Sequence, residues 1–140
     1  MSDVGFRKWL GLTYEVMDDE RAVVSLELDE EKRNVRDVAH GGIVASLVDV
    51  AMGTAAAGGN YATRKRYVVT LELKVNYLAP ARGNKLTAEA KVVRGGARTF
   101  VVDCRVTTDL GDECAAALGT FITRRRTEED VAREGANIPG

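Results

Sequence analysis

The sequence has few of the residues that most often build metal sites and cross-links. Its 140 residues include one histidine and two cysteines, Cys104 and Cys114, which are not spaced as CxxC. Structural zinc sites usually take four nitrogen or sulfur ligands, and disulfide frameworks belong to small secreted chains. We therefore expect no metal centre and interpret the two cysteines as reduced thiols in a cytoplasmic protein.

An excess of charge and long apolar runs are also missing. The 20 basic and 21 acidic residues give a net charge of -1, whereas nucleic-acid binding favours a basic excess. No apolar run approaches the roughly 20 residues that cross a bilayer, and residues 1–10 do not resemble a signal peptide. We expect neither nucleic acid nor membrane as a partner.

The remaining composition is that of an ordinary globular domain. Apolar residues make up 45% and charged residues 29% of the chain, and the length is typical of one domain. We predict a single domain over residues 1–124. A polar tail follows over residues 125–140, and we expect part of it to be disordered.

The spacing of apolar residues predicts one long helix and several strands. Apolar residues three and four apart predict a helix over 41–57, and Gly58-Gly59-Asn60 is a typical helix end. Alternating patterns predict strands at 13–17, 21–28, 67–79, 86–92, 100–106 and 113–123. Since the connections between the last strands are short, those strands are predicted to be antiparallel neighbours. The fold class is therefore α+β, with a mainly antiparallel sheet against one long helix.

One carboxylate, Asp49, interrupts the apolar run of the predicted helix. Burying an unpaired charge costs several kcal/mol, so Asp49 is a candidate catalytic residue. The alternative is a structural acid that is hydrogen-bonded to nearby backbone. The helix begins at His40-Gly41-Gly42, where first-turn N–H groups lack intrahelical partners and favour negative charge. The N–H of Gly41 is thus a candidate oxyanion donor, unless the segment is only a helix-entry turn.

Asn34, His40-Gly41-Gly42 and Asp49, in this order and spacing, resemble the hotdog-fold thioesterases. The group in question is related to the phenylacetate-degradation and 4-hydroxybenzoyl-CoA thioesterases. The segments 69–71, 76–81 and 119–121 support the resemblance, which runs from about residue 13 to 123. It implies a curved antiparallel sheet wrapped around a central helix. It also implies hydrolysis of an acyl-CoA to a carboxylic acid and free CoA, without a cofactor, because CoA is part of the substrate.

Asp49 and Gly41 are about 12 Å apart along a helix at 1.5 Å per residue. One chain cannot easily bring both to the same carbonyl, whereas Asp49 of one protomer and Gly41 of a second copy can meet. The resemblance likewise implies dimers with two sites at the interface. We expect a homodimer that pairs further into a homotetramer. Asp49 would act either as a general base on water or by direct attack to give a mixed anhydride.

The resemblance also implies roles for three other polar residues. Asn34 would position the carbonyl or the leaving sulfur, His40 would orient the thioester or the loop, and Thr70 would hold the attacking water. Strand parity counts against Thr70, because it places Thr70 with Glu72, opposite the apolar face of 67–77. Thr70 reaches the site only if a bulge or the start of the strand re-aims it.

Further residues are candidates for binding the substrate and its CoA. Arginines bind phosphates, and glycines allow close approach to the backbone. The candidates are Gly42, Arg82, Gly95, Gly96, Arg98 and Arg124. The alternatives are solvated surface arginines and a plain hairpin turn at 95–96.

A different class of function stays open, since this kind of fold also serves as a binding module. A non-catalytic acyl-CoA binder or sensor would keep the pocket and lack turnover. The presence of both Asp49 and Asn34 favours the hydrolase. The identity of the acyl group does not follow from the sequence.

Overall fold

A computed structural model describes residues 3–136. The helices are α1 (Gly5–Leu10), α2 (Gly41–Ala57) and α3 (Glu128–Ala136), with a 3-10 turn at Glu30–Lys32. The strands are β1 (Leu12–Asp18), β2 (Arg21–Glu27), β3 (Arg66–Tyr77), β4 (Lys85–Gly95), β5 (Thr99–Thr108) and β6 (Glu113–Arg125). None of the helices in this range is long and apolar enough to span a membrane.

The six strands form one antiparallel sheet in the order β1-β2-β4-β5-β6-β3. Helix α2 packs against strands across the full width of this sheet. The predicted α+β class, with a curved antiparallel sheet around one long helix, is thereby confirmed. Strands β1 and β3 lie at the edges, so each has one side without a pairing strand within the described residues.

Helix α2 is the centre of the core, and small residues let the sheet approach it closely. Its faces bury large residues such as Leu47 and Met52 completely. A Cβ on Gly119 of β6 would lie 2.9 Å from the sulfur of Met52, so even a methyl group does not fit there. The helix ends as predicted at Gly58, which takes a left-handed φ of 72° and donates its N–H to the carbonyl of Thr54.

A bulge in β3 changes which residues face α2. Thr70 pairs with Phe121, but the next pair is Glu72 with Thr120, so one extra residue lies between them. Before the bulge, Val68 and Thr70 line a cavity beside α2, and after it Leu73 and Val75 pack on the core. The single apolar face predicted over 67–77 is therefore wrong, because an inserted residue reverses the alternation. Val69 and Leu71 are 65% and 57% exposed.

Helix α3 is not among the elements predicted from the sequence. Thr127 and Asp130 form its first turn: the N–H of Thr127 donates to the Asp130 carboxylate at 2.8 Å, and the N–H of Asp130 donates to the Thr127 hydroxyl at 3.2 Å. This reciprocal pair is a capping box that the sequence Thr-Glu-Glu-Asp contains. Residues 128–136 of the predicted tail form this helix, and 137–140 lie outside the described residues, so partial disorder of the tail stays a prediction. The domain boundary at residue 124 stays a prediction.

Candidate active site

The start of α2 is held by the histidine that precedes it. His40 is the N-cap residue, and its Nδ1 accepts a hydrogen bond of 2.9 Å from the N–H of Gly42. Its carbonyl accepts from the N–H groups of Ile43 and Val44 at 2.9 and 3.3 Å. These bonds satisfy three of the N–H groups in the first turn. The N–H of Gly42 donates to the His40 ring, so it is not available to the substrate. A contact between Gly42 and the substrate through other atoms stays a prediction.

Tyr77 of β3 holds the same turn from the other side. Its hydroxyl donates a 2.7 Å hydrogen bond to the carbonyl of Gly41. Both peptide groups that flank Gly41 are therefore fixed. The His40–Gly41 peptide is held through the His40 carbonyl, and the Gly41–Gly42 peptide is held through Tyr77 and the His40 ring. The N–H of Gly41 has no hydrogen-bond acceptor within residues 3–136. It is a fixed and available donor, as the sequence analysis expects of an oxyanion donor.

Asn34 lies in a loop that reaches the same turn. Its side-chain oxygen accepts from the N–H of Arg36 at 2.8 Å, and its own N–H donates to the carbonyl of Val38. This Asx turn leaves the side-chain NH₂ without a partner in the described part of the chain. Asn34, Gly41 and Tyr77 line one cavity of about 480 Å³, together with Arg82 and the segment around it.

A neighbouring arginine explains why this loop has a defined shape. The guanidinium of Arg33 donates to the carbonyls of Leu28 and Gly83 at 2.9 and 2.8 Å and to that of Asp37 at 3.1 Å. Arg33 therefore ties the Asn34 loop to the strand before it and to the segment after β3. No pattern in the sequence predicts this role of Arg33.

Asp49 is half-buried on α2 and faces the β3 bulge. Its Oδ1 accepts a 2.7 Å hydrogen bond from the Thr70 hydroxyl. The bulge is what brings Thr70 here, so the condition attached to this residue in the sequence analysis is met. The other carboxylate oxygen of Asp49 has no hydrogen-bond partner among the described residues. The alternative, a structural acid, requires hydrogen bonds from nearby backbone N–H groups to the Asp49 carboxylate. No such hydrogen bond is formed within residues 3–136.

Asp49 and Thr70 line a second cavity, of about 530 Å³. Gly41 and Asn34 line the first. The chain thus presents the Asp49 carboxylate in one cavity and the Gly41 N–H in the other. The structure pairs Asp49 with Thr70 and places Asn34 near Gly41, but it does not bring Asp49 and Gly41 together within one chain.

The second cavity runs along α2 away from Gly41 and has a polar far end. Leu12, Val50, Val68 and Phe121 are among its apolar lining residues. The far end includes Asp3, Arg7, Tyr14, Tyr61, Arg64 and Arg66. Burial raises the pKa of the Tyr14 hydroxyl despite the opposing charge of Arg7. Tyr14 therefore stays neutral and donates to the Asp3 carboxylate, 3.0 Å from its nearer oxygen.

The predicted CoA-binding residues on the β4–β5 and β6 side line neither of these two cavities. Gly95 and Gly96 form the β4–β5 hairpin: the Gly96 N–H donates to the Thr99 carbonyl, and a Cβ on Gly95 would lie 2.9 Å from the Phe100 ring. The hairpin alternative therefore explains both glycines structurally, and the exposed Arg98 lies in the same turn region. Their roles toward CoA stay predictions.

Arg124 is engaged by the unpredicted helix α3. Its guanidinium pairs with Asp130 at 3.0 Å and lies 4.6 Å from the centre of the Tyr67 ring. The hydrogen bond to Asp130 raises the pKa of Arg124, and the same bond lowers the pKa of Asp130. A phosphate of CoA would have to compete with Asp130 for this guanidinium.

Tyr77 is the site residue that the sequence analysis misses. It lies within the segment 76–81 that supports the family resemblance, and its hydroxyl is what the structure adds. Within residues 3–136, no three His, Cys, Asp or Glu side chains are arranged to hold a metal ion.

The antiparallel six-strand sheet with one long helix packed against it is the hotdog fold. A family model described as "Thioesterase superfamily" matches residues 37–115. The chain therefore belongs to the thioesterase superfamily, and it is a thioester hydrolase.

Similar proteins agree with this class. A Saccharolobus solfataricus protein named "Putative esterase" is 31% identical over 127 residues, 88% of this chain and 80% of that protein. The "Medium/long-chain acyl-CoA thioesterase" YigI of Salmonella typhimurium is 28% identical and covers 84% of both chains. The structure of the E. coli PaaI protein from the phenylacetic acid degradation operon superposes with a TM-score of 0.76 at 26% identity, covering 86% of this chain and 83% of that one.

Proposed function

We propose that this protein hydrolyses acyl-CoA thioesters, with Asp49 as the catalytic carboxylate and the Gly41 N–H as the oxyanion donor. The observation that carries the proposal is the environment of Asp49: one oxygen accepts from Thr70, and the other has no partner within residues 3–136 and lies at a cavity of about 530 Å³. Similarity to YigI supports acyl-CoA as the substrate class. A non-catalytic binder has no need for a carboxylate held in this way.

The two halves of the proposed site, one at Asp49 and one at Gly41, combine if two copies pair through the edge strand β3. An unpaired edge strand of 12 residues is a template for pairing, and homodimers usually have a two-fold axis. Antiparallel pairing of β3 with its copy, centred between residues 73 and 74, places Thr70 of one protomer opposite Tyr77 of the other. Thr70 contacts Asp49 and Tyr77 contacts Gly41. Such a dimer brings the carboxylate of one protomer toward the free N–H of its partner.

Exposed apolar residues on β3 and β6 support this dimer. Val69 and Ile122, which pair across the two strands, are 65% and 39% exposed, and Leu71 is 57% exposed. Pairing of such dimers into a homotetramer stays a prediction, as does the cytoplasmic location.

In this mechanism the thioester oxygen accepts a hydrogen bond from Gly41 N–H at the positive end of α2. Asp49 takes a proton from water as the water oxygen attacks the carbonyl carbon. The tetrahedral intermediate then expels CoA as a thiolate, which takes up a proton, and the carboxylic acid remains. Thr70 uses its only proton on Asp49, so its oxygen accepts from the attacking water. Direct attack by Asp49 gives a mixed anhydride instead and needs the same residues.

Asn34 and His40 have supporting parts in the proposal. The side-chain NH₂ of Asn34, which has no partner within residues 3–136, positions the thioester by donating a hydrogen bond to its carbonyl oxygen or its sulfur. His40 orients the turn, because its Nδ1 accepts a hydrogen bond from the N–H of Gly42.

The test is the Asp49→Asn variant, assayed by thiol release over a panel of acyl-CoAs. General-base catalysis contributes about 10²–10⁴ in rate, so we expect a loss of that size. The fold should be unchanged, because the asparagine oxygen can still accept from Thr70; circular dichroism and the melting temperature check this. Undiminished hydrolysis by Asp49→Asn contradicts the role of Asp49. A wild-type protein that binds acyl-CoA without releasing thiol supports the binder instead.

A further inference from the structure

The cavity that begins at Asp49 changes character along its length. It follows α2 from Asp49 past Val50 and Gly53 to Ala57, about 12 Å at 1.5 Å per residue. Beyond Thr70, its lining near Asp49 includes the apolar side chains of Val50, Val68 and Phe121. An aliphatic chain attached to the thioester fits this first part.

The far end of the cavity holds two arginines that are fixed by aromatic rings. The guanidiniums of Arg7 and Arg64 lie 4.8 and 5.3 Å from the centre of the Tyr61 ring, and Arg64 also lies 4.4 Å from that of Tyr67. Stacking uses the flat face of a guanidinium and leaves the N–H groups at its edge available. Arg7 makes no hydrogen bond within residues 3–136.

The carboxylate nearest to Arg7 does not satisfy it. Asp3 lies 3.9 Å from Arg7, and both of its oxygens accept instead from the hydroxyl of Tyr14, at 3.0 and 3.1 Å. The open edge of Arg7, meaning the guanidinium N–H groups that have no acceptor within residues 3–136, therefore belongs to the cavity lining. The side chain is 26% exposed, so an occupant of the cavity can reach it.

The charge around this end is positive. Ion pairs connect Arg64 and Arg126 to Glu134, and Arg66 and Lys65 to Asp19. With Arg7 and Asp3, the cluster contains five basic and three acidic side chains. A cavity with apolar residues in one part of its lining and an excess of cations around its far end favours an anionic group there.

We propose that the acyl group ends in a carboxylate, so that the preferred substrates are CoA thioesters of medium-length dicarboxylic acids. The inference rests on the proposed function, because it assigns the acyl group to the cavity that begins at Asp49. The open edge of Arg7 matches the two oxygens of a carboxylate. With bonds of about 1.5 Å, an extended chain of eight carbons spans roughly 9 Å, within the 12 Å available along α2.

The test compares two thioesters of equal chain length, suberyl-CoA and octanoyl-CoA, by kcat/KM. We expect the wild type to prefer suberyl-CoA at least tenfold. Arg7→Met should lose this preference, mainly through a lower kcat/KM on suberyl-CoA. Arg7→Lys, which keeps the charge without the planar fork, should retain part of it. Arg105→Met is the matched control, because Arg105 pairs with Glu113 on the surface and lines neither cavity.

Failure of this inference is distinct from failure of the proposed function. Octanoyl-CoA hydrolysed faster than suberyl-CoA, or an Arg7→Met protein with the full preference, overturns the carboxylate while hydrolysis persists. Equal rates on suberyl-CoA and 8-hydroxyoctanoyl-CoA also overturn it, because the far end of the cavity would then select for a polar group and not for a negative charge. A wild type that hydrolyses none of these thioesters overturns both.

Discussion

A proline at position 41 removes the proposed oxyanion donor and little else. Proline lacks the N–H and is favoured at the first position of a helix, where that N–H has no intrahelical partner. Gly41 occupies this position in α2, and His40 has φ -59° and ψ 139°, a conformation that suits a residue before proline. We therefore expect Gly41→Pro to fold with a free energy of unfolding within about 1 kcal/mol of the wild type.

The expected effect on catalysis is large. Removing one oxyanion donor costs about 10²–10³ in kcat, or roughly 2.7–4 kcal/mol of transition-state stabilisation. The measurement is thiol release from the best acyl-CoA of the panel, with kcat and KM determined separately. KM should change much less than kcat, because the donor acts on charge that develops in the transition state.

Gly41→Ala is the matched control. A Cβ at this position lies 3.4 Å from the Tyr77 hydroxyl oxygen, so alanine and proline share this crowding while only proline loses the N–H. We expect Gly41→Ala to keep activity within a few-fold of the wild type. If Gly41→Pro is folded and as active as Gly41→Ala, the Gly41 N–H is not the oxyanion donor.

Three further predictions concern the interface, the turn and the tail. Mixing Asp49→Asn with Gly41→Pro chains under subunit exchange should restore about a quarter of wild-type activity. Half of the randomly formed dimers are mixed, and each mixed dimer has one intact site out of two. If no activity is recovered, Asp49 and Gly41 of the same chain serve the same site. Tyr77→Phe should lower kcat about fivefold through the loss of one hydrogen bond of about 1 kcal/mol, and an unchanged kcat shows that the bond to Gly41 does not position the donor. Hydrogen bonds from Tyr67 and Arg64 lower the pKa of Glu134 to about 2, so Glu134 contributes stability above pH 4.5 that is lost as the pH falls toward 2. Between pH 4.5 and 2, the melting temperature of Glu134→Gln should therefore fall less than that of the wild type. Parallel plots of melting temperature against pH for the two proteins contradict this role of Glu134.

The parts of the fold that could be predicted from the sequence are those set by local pattern. The helix over 41–57 follows from apolar spacing and from the glycine at 58, and the structure reproduces both ends. The resemblance through Asn34, Gly41 and Asp49 identifies the family, which the thioesterase model confirms. These features depend on residue types at fixed spacing, which a sequence displays directly.

The features that sequence patterns could not give depend on contacts between distant residues. Tyr77 is 36 positions from Gly41, and only the folded sheet shows that its hydroxyl reaches the Gly41 carbonyl. The polar end of the large cavity likewise joins Arg7 near the start of the chain to Tyr61 and Arg64. Helix α3 is different, since its capping box between Thr127 and Asp130 was readable in the sequence.

One inserted residue in β3 connects the catalytic geometry to the proposed dimer. Without the bulge, strict alternation would put Thr70 and Tyr77 on opposite faces, because seven positions separate them. With it, both lie on the side of α2, where Thr70 reaches Asp49 and Tyr77 reaches Gly41. A two-fold axis between residues 73 and 74 then exchanges the two positions. The same strand therefore contacts each half of the proposed site and provides the edge through which the halves can meet.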